Sequence, residues 1–318
     1  MKCVFVTNRP NYCHRRFAEY VECRFYYIKH FLPENIPTIS LPLNGVLNSL
    51  CLKNSDVFFS ESIMDYYPVY YKHSEHKKIV LIAEDTIFKL GLMPDYKKRY
   101  ILKLFNSVDG FIAISDLCKK ILLRYVDKPI KVAYPFPHKE FFRVKVPLDT
   151  KNILFVGRND ITKGFIELVK AVKILRKRGL DWNLYLVGDC SNSVSKGDGI
   201  HPLGFVKNIE SIMKTCTYFV HPAYFDPCPA TVFEAMTAGL ITIISNNIGQ
   251  TKIFKDKDLG GLILDNNKPE TIANKLEELS KKNNTILSSK LRNISKEFRE
   301  PKRLEMFKNQ FEKLLSEI

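Results

Sequence analysis

Short apolar runs return along this chain at spacings that leave room for one helix between neighbours, and nothing else in the sequence restricts the fold so strongly. In the second half they read NILFVG (152–157), NLYLVG (183–188), IHPLGFV (200–206), YFVHPA (218–223), LITIIS (240–245) and GGLILD (260–265). Helical stretches fall between or after them at about 164–178, 208–214, 230–238 and 269–281. The first half has CVFVT (3–7), DVFFS (56–60), KIVLIA (78–83) and GFIAIS (110–115), with KVAYP (131–135) as a further strand and helices at 95–105 and 116–125. Runs that are apolar throughout suit strands buried on both faces, and their alternation with helices predicts parallel sheets covered by helices. Pro135, Pro137 and Pro147 interrupt the pattern, so the expected units are residues 1–146 and 147–302, two doubly wound α/β domains. A chain of 318 residues with 45% hydrophobic residues can give each its own core.

The tail carries Leu304, Phe307, Phe311, Leu314, Leu315 and Ile318 on one helical face. It is expected to pack back on the first domain over 303–318, with a membrane-surface helix as the alternative. No run approaches the roughly 18 apolar residues of a membrane span, and the mixed first thirty residues do not resemble a signal peptide. The expected location is therefore cytoplasmic, with peripheral contact at an anionic inner membrane face left open. Eight scattered cysteines without a Cys-x-x-Cys pair read as reduced thiols, mostly buried.

The formal net charge of +15 favours an anionic partner. No nucleic-acid-binding motif accompanies it, so nucleic acid is not the expected partner. VGRNDITKG (156–164) supplies Gly157 and Arg158 at a strand end and Lys163 just before a helix. Two cations beside a helix N-terminus can neutralise a diphosphate without a metal. FDPCPATVFEAMTAG (225–239) places Asp226 on a proline-bracketed loop and Glu234 eight residues on, in a helix. Carboxylates accept from sugar hydroxyls, so acids beside cations suit a ligand with sugars at its ends and phosphates between. The plainer alternatives are surface charges for Arg158 and Lys163, a turn former for Asp226 and helix-dipole stabilisation for Glu234. His221 reads as a structural histidine, and Asp256-Lys257-Asp258 as a Lys-rich loop rather than a metal motif. Arg9, His14, Arg15 and Arg16 read as a basic surface, or as contacts for an anionic acceptor.

Together, ILFVGRNDITKG, LYLVGD, HPLGFV, VHPAYFDPCPATVFEAMTAGLITIIS and GGLILD, in that order over most of 152–265, resemble the retaining nucleotide-sugar glycosyltransferases of family 4. The resemblance implies a GT-B fold, two Rossmann-like domains with a cleft between them, the first binding the acceptor and the second the donor. It implies a hexosyltransferase moving a sugar from a nucleotide-diphosphate donor to an acceptor hydroxyl, with retention and without metal or other cofactor. Arg158, Lys163 and Gly157 would hold the diphosphate together with backbone groups of Ala230, Thr231 and Val232. Asp226 would contact the transferred sugar, Glu234 the ribose, and Phe205 and Val206 would lie at the nucleobase. The family usually has Glu at the position of Asp226. It often has His-Asp where this chain has Glu84 and Asp85, which makes Glu84 the candidate for sugar contact or base. The acceptor is open among a glycan, a lipid-linked sugar and a protein. The alternatives are a non-catalytic sugar-nucleotide-binding subunit and a nucleotide-sugar epimerase on the same fold.

Overall fold

A computed structural model of the chain describes residues 1–31, 37–72 and 75–318. Strands β1 (Cys3–Thr7), β2 (Arg24–Tyr27), β3 (Val57–Ser60), β4 (Lys77–Ile82), β5 (Gly110–Ala113) and β6 (Ile130–Val132) form one sheet in the order β2-β1-β3-β4-β5-β6. Helices α1 (Tyr12–Tyr20), α2 (Pro37–Cys51), α3 (Tyr67–Tyr71), α4 (Thr86–Lys89), α5 (Asp95–Ser107) and α6 (Asp116–Leu122) connect them. The second sheet takes β7 (Asn152–Val156), β8 (Asn183–Val187), β9 (Ile200–Gly204), β10 (Tyr218–His221), β11 (Ile241–Ser245) and β12 (Ile263–Leu264) in the order β12-β11-β10-β7-β8-β9. Its helices are α7 (Phe165–Lys177), α8 (Ile209–Met213), α9 (Ala230–Ala238), α10 (Thr251–Asp256), α11 (Pro269–Ser280) and α12 (Thr285–Ser295). All strand pairs are parallel. The fold is two doubly wound Rossmann-like units, as the apolar runs predict. GGLILD shrinks to a two-residue strand because Gly260–Leu262 turns as a 3₁₀ helix.

The first unit comprises Met1–Pro135 with Pro301–Ile318, and the second Phe136–Glu300. The change falls eleven residues before the expected boundary at 146. Phe141 and Val144 are buried, and Arg292 of α12 donates to the carbonyls of Val144 (2.7 Å) and Phe142 (3.0 Å), which ties this proline-rich stretch to the second unit. The tail is helix α13 (Glu300–Glu317), and Leu304, Phe307, Phe311 and Leu314 are buried. Phe307 stacks on Phe17 with ring centroids 4.2 Å apart, and Phe311 meets Phe59 edge-on at 5.5 Å. A face so occupied is not available to a membrane. Among the described residues no helix is long and apolar enough to cross one.

The cysteine expectation needs correction. Cys3 and Cys23 form a disulfide, because β1 and the start of β2 lie side by side and bring residues twenty apart in sequence to a Cα separation of 4.6 Å. Sequence spacing carries no trace of that pairing. Of the other six, Cys51 is exposed and the rest are buried.

Candidate functional site

In an open parallel sheet the ligand crevice opens at the carboxyl ends of the two strands where the connections diverge. In the second sheet those strands are β7 and β10. The loops that leave them are locked together by a close backbone approach. Gly164 has φ 74°, and a Cβ there would lie 2.0 Å from the carbonyl oxygen of Pro222. Tyr224 donates its N–H to the Thr162 carbonyl at 2.8 Å. This approach carries Lys163 under the loop that follows β10.

Lys163 is buried, and its Nζ donates to Oδ2 of Asp226 at 2.8 Å. The Nε2 of His221, also buried, lies 3.2 Å from the same oxygen. The backbone of Asp226 is held on both sides, its N–H to the Asn247 carbonyl at 3.2 Å and its carbonyl to the Gly249 N–H at 3.0 Å. Burial by itself would raise the Asp226 pKa, but the contacts with His221 and Lys163 outweigh it and hold the group below its ordinary value. Asp226 is therefore an ionised acceptor. Both side chains meet Oδ2. His221 is thus more than packing: it helps to fix that carboxylate, while its buried Nδ1 has no partner.

Pro229 precedes α9, and no side chain caps the helix. The first N–H groups of a helix lack intrahelical acceptors, so Ala230 and Thr231 present donors, whereas Val232 donates to the Pro229 carbonyl at 3.2 Å. Glu234 is the fifth residue of α9, past the turn where a carboxylate best offsets the helix dipole. Burial, followed by the like charge of Glu210 on α8, pushes its pKa up to about 7. Glu210 belongs to α8, which follows the loop carrying Phe205 and Val206. Phe205 is 85% exposed, a ring in water with a face open to stacking. Gly157 donates to the Val187 carbonyl at 3.0 Å, and a Cβ at Gly188 would lie 2.3 Å from the Gly157 carbonyl, so the β7 and β8 loops also touch. Arg158 stands exposed on that rim.

Glu84 lies in the first unit and is anchored at home. Its Oε1 accepts from the Ile63 N–H at 2.9 Å, and Met64 and Thr86 also donate to the carboxylate. Burial nevertheless pushes it up to about 7. The first sheet has its own divergence between β1 and β3. There Glu61 accepts from the Thr7 hydroxyl, from the Asn11 N–H (2.9 Å) and from His14 Nδ1 (2.9 Å). Asp65 nearby is pushed up to about 7 by burial and by the charges of Glu61 and Glu84. Sequence reasoning passed over Glu61 and Asp65; the available signal was SESIMD directly after an all-apolar strand. His14 is buried against Glu61 rather than part of a basic surface, and Arg15 and Arg16 both pair with Glu19.

Asp256 and Asp258 pair with Lys252 and Lys290. Among the described residues, no group of three or more His, Cys, Asp or Glu is placed to hold a metal ion.

Solved structures share this fold. Sucrose-phosphate synthase from Thermosynechococcus elongatus superimposes with a TM-score of 0.78 over 99% of this chain and 100% of its own, at 14% identity. HepE from Anabaena in complex with UDP-glucose gives 0.74 over all of both chains, again at 14%. These likenesses establish a fold of the GT-B type. The family description Glycosyl transferases group 1 matches residues 138–299, and the chain belongs to that family. Among curated relatives, the uncharacterized glycosyltransferase YqgM of Bacillus subtilis (strain 168) is 26% identical over 159 residues, 46% of this chain and 44% of that protein. An uncharacterized glycosyltransferase of Haemophilus influenzae is 27% identical over 135 residues, 39% of this chain and 38% of its own. The matched region spans less than half the length of either relative.

Proposed function

We propose that this protein is a retaining, metal-independent glycosyltransferase that moves a hexose or related sugar from a nucleotide-diphosphate donor to an acceptor hydroxyl. The observation that carries this reading is the buried Lys163–Asp226 pair at the β7/β10 divergence. Structures of HepE in complex with UDP and with UDP-glucose make a uridine donor the first to try. In this reading Arg158 and Lys163 hold the diphosphate, assisted by the N–H groups at the start of α9. They offset the negative charge that builds on the leaving nucleotide, which is the electrostatic part of the catalysis. Lys163 then answers to two anions, the phosphate and Asp226, and couples donor binding to the position of that carboxylate. Asp226 accepts from a hydroxyl of the transferred sugar, Glu234 from the ribose, and Phe205 stacks on the base with Val206 beside it. The part of Glu84 in turnover is tested by E84Q: full activity in that variant removes it from the mechanism.

The test is a thermal-shift series with UDP-, GDP-, ADP- and CMP-sugars and the free nucleotides, with Arg158→Ala and Glu234→Ala as controls. A ligand at 100 times its Kd adds about 2.7 kcal/mol to stability. One nucleotide class should shift the wild type and neither variant. No shift from any donor rejects the reading. A shift without transfer to any glycan, lipid-linked or protein acceptor identifies a binding subunit, and conversion of the sugar without an acceptor identifies an epimerase.

A further inference from the structure

Pro227, Cys228 and Pro229 separate Asp226 from α9. The prolines fix two of the φ angles in that stretch, and the chain that leaves β11 holds the rest of it. The Ser245 hydroxyl donates to the Ala223 carbonyl, the Asn247 carbonyl accepts the Asp226 N–H, and the Gly249 N–H donates to the Asp226 carbonyl. A Cβ at Gly249 would lie 2.0 Å from the Pro227 carbonyl oxygen, so the two backbones touch. The next contact is made by a side chain. Gln250 is fully buried, and its Nε2 donates to the Pro229 carbonyl at 2.8 Å.

Pro229 precedes the first turn of α9, and its carbonyl also accepts the Val232 N–H at 3.2 Å. That one oxygen therefore ties the start of the helix to the loop after β11. The Oε1 of Gln250 is buried and meets no donor among the described residues. An unpaired buried acceptor is costly, and a methionine would fill much the same space without one. What the glutamine adds at this position is its N–H on Pro229.

We propose that Gln250 is a positioning residue, which holds the N–H groups of Ala230 and Thr231 at a fixed offset from Asp226. The inference rests on the donor reading, in which those N–H groups meet the diphosphate and Asp226 meets the sugar. The bond broken in transfer joins the sugar to the diphosphate, so a drift of α9 relative to Asp226 misaligns the two halves of the donor.

The test compares wild type with Q250M by calorimetric titration with UDP and with uridine, or with the matching pair for whichever base the thermal-shift series selects. Uridine carries no phosphate and does not report on α9. Q250M should bind UDP roughly fivefold more weakly, the equivalent of one typical hydrogen bond, and uridine as well as wild type does. In the ligand-free variant the Val232 amide should exchange with deuterium faster, while the amides of β10 and β11 keep their wild-type rates. Should Q250M not fold, the Gln250 carboxamide protons of the wild type give the answer: their NMR signals should shift with UDP and stay in place with uridine. Equal binding of UDP by variant and wild type overturns the proposal, and so do parallel losses for UDP and uridine, which would mean general loosening; both leave the donor reading in place. A wild type that binds no nucleotide overturns the donor reading and this role with it.

Discussion

Asp226 and Glu234 lie eight positions apart, yet their surroundings set their charge in opposite directions. Asp226 is held ionised by His221 and Lys163 against its own burial, and Glu234 is pushed toward neutrality by burial and Glu210. For Asp226 the folded pKa lies below the unfolded one, so its stabilisation is complete above the ordinary carboxylate value and is lost as pH falls through the depressed one. D226N at neutral pH leaves the Lys163 ammonium buried without its anion and should cost about 3–5 kcal/mol in urea unfolding. The double variant Lys163→Met with Asp226→Asn should recover much of that loss. Additive losses would show that the two side chains do not act as a pair. For Glu234 the sign is reversed: the folded state holds a proton that the unfolded state releases, so wild-type stability falls as pH rises from 4.5 to about 7. E234Q escapes this, and should be more stable than wild type at pH 8 by about 1–3 kcal/mol while matching it at pH 4. The same variant should lose nucleotide binding, which separates the stability of this residue from its use.

At the level of elements, the site depends on two loops that meet at Gly164. Gly164→Ala has to bear φ 74° and a clash with the Pro222 carbonyl, so it should cost at least about 2 kcal/mol and abolish the donor-induced thermal shift. Phe307→Ala removes a ring stacked on Phe17 and should cost about 3–5 kcal/mol. A loss below about 1 kcal/mol would mean that α13 is not part of the core of the first unit. The second sheet was readable because its strands are mostly apolar and several of its turns carry glycines. Elements α1, β2 and α2 were not readable. The exposure pattern of β2 is that of an edge strand, and α2 combines a proline, a glycine and an outward apolar face, so its periodicity points the wrong way. Asp226, Lys163 and Glu234 were legible as a motif. The pairing of Lys163 with Asp226 was not, because it depends on a backbone contact between residues 164 and 222 that spacing cannot express.

For the whole molecule, a net charge of +15 sets up a field that attracts anions, and the proposed donor is one. Donor association should therefore slow as salt is raised through the range where the Debye length falls from about 10 to 3 Å. Arg158→Ala should bind more weakly and show a shallower salt dependence in stopped-flow measurements; an unchanged dependence would place Arg158 outside the path of the ligand. The return of α13 to the first unit also orders events in time. Phe17 and Phe59 leave the ribosome before the second unit is made, whereas their partners Phe307 and Phe311 follow it. At ~5–20 residues per second, the roughly 175 residues between Pro135 and Phe311 take about 10–35 s to synthesise. Throughout that interval the unit made first stays unfinished, with aromatic surface open to chaperones, and the sheet of the second unit is completed at Leu264, before Phe307 and Phe311 have been made.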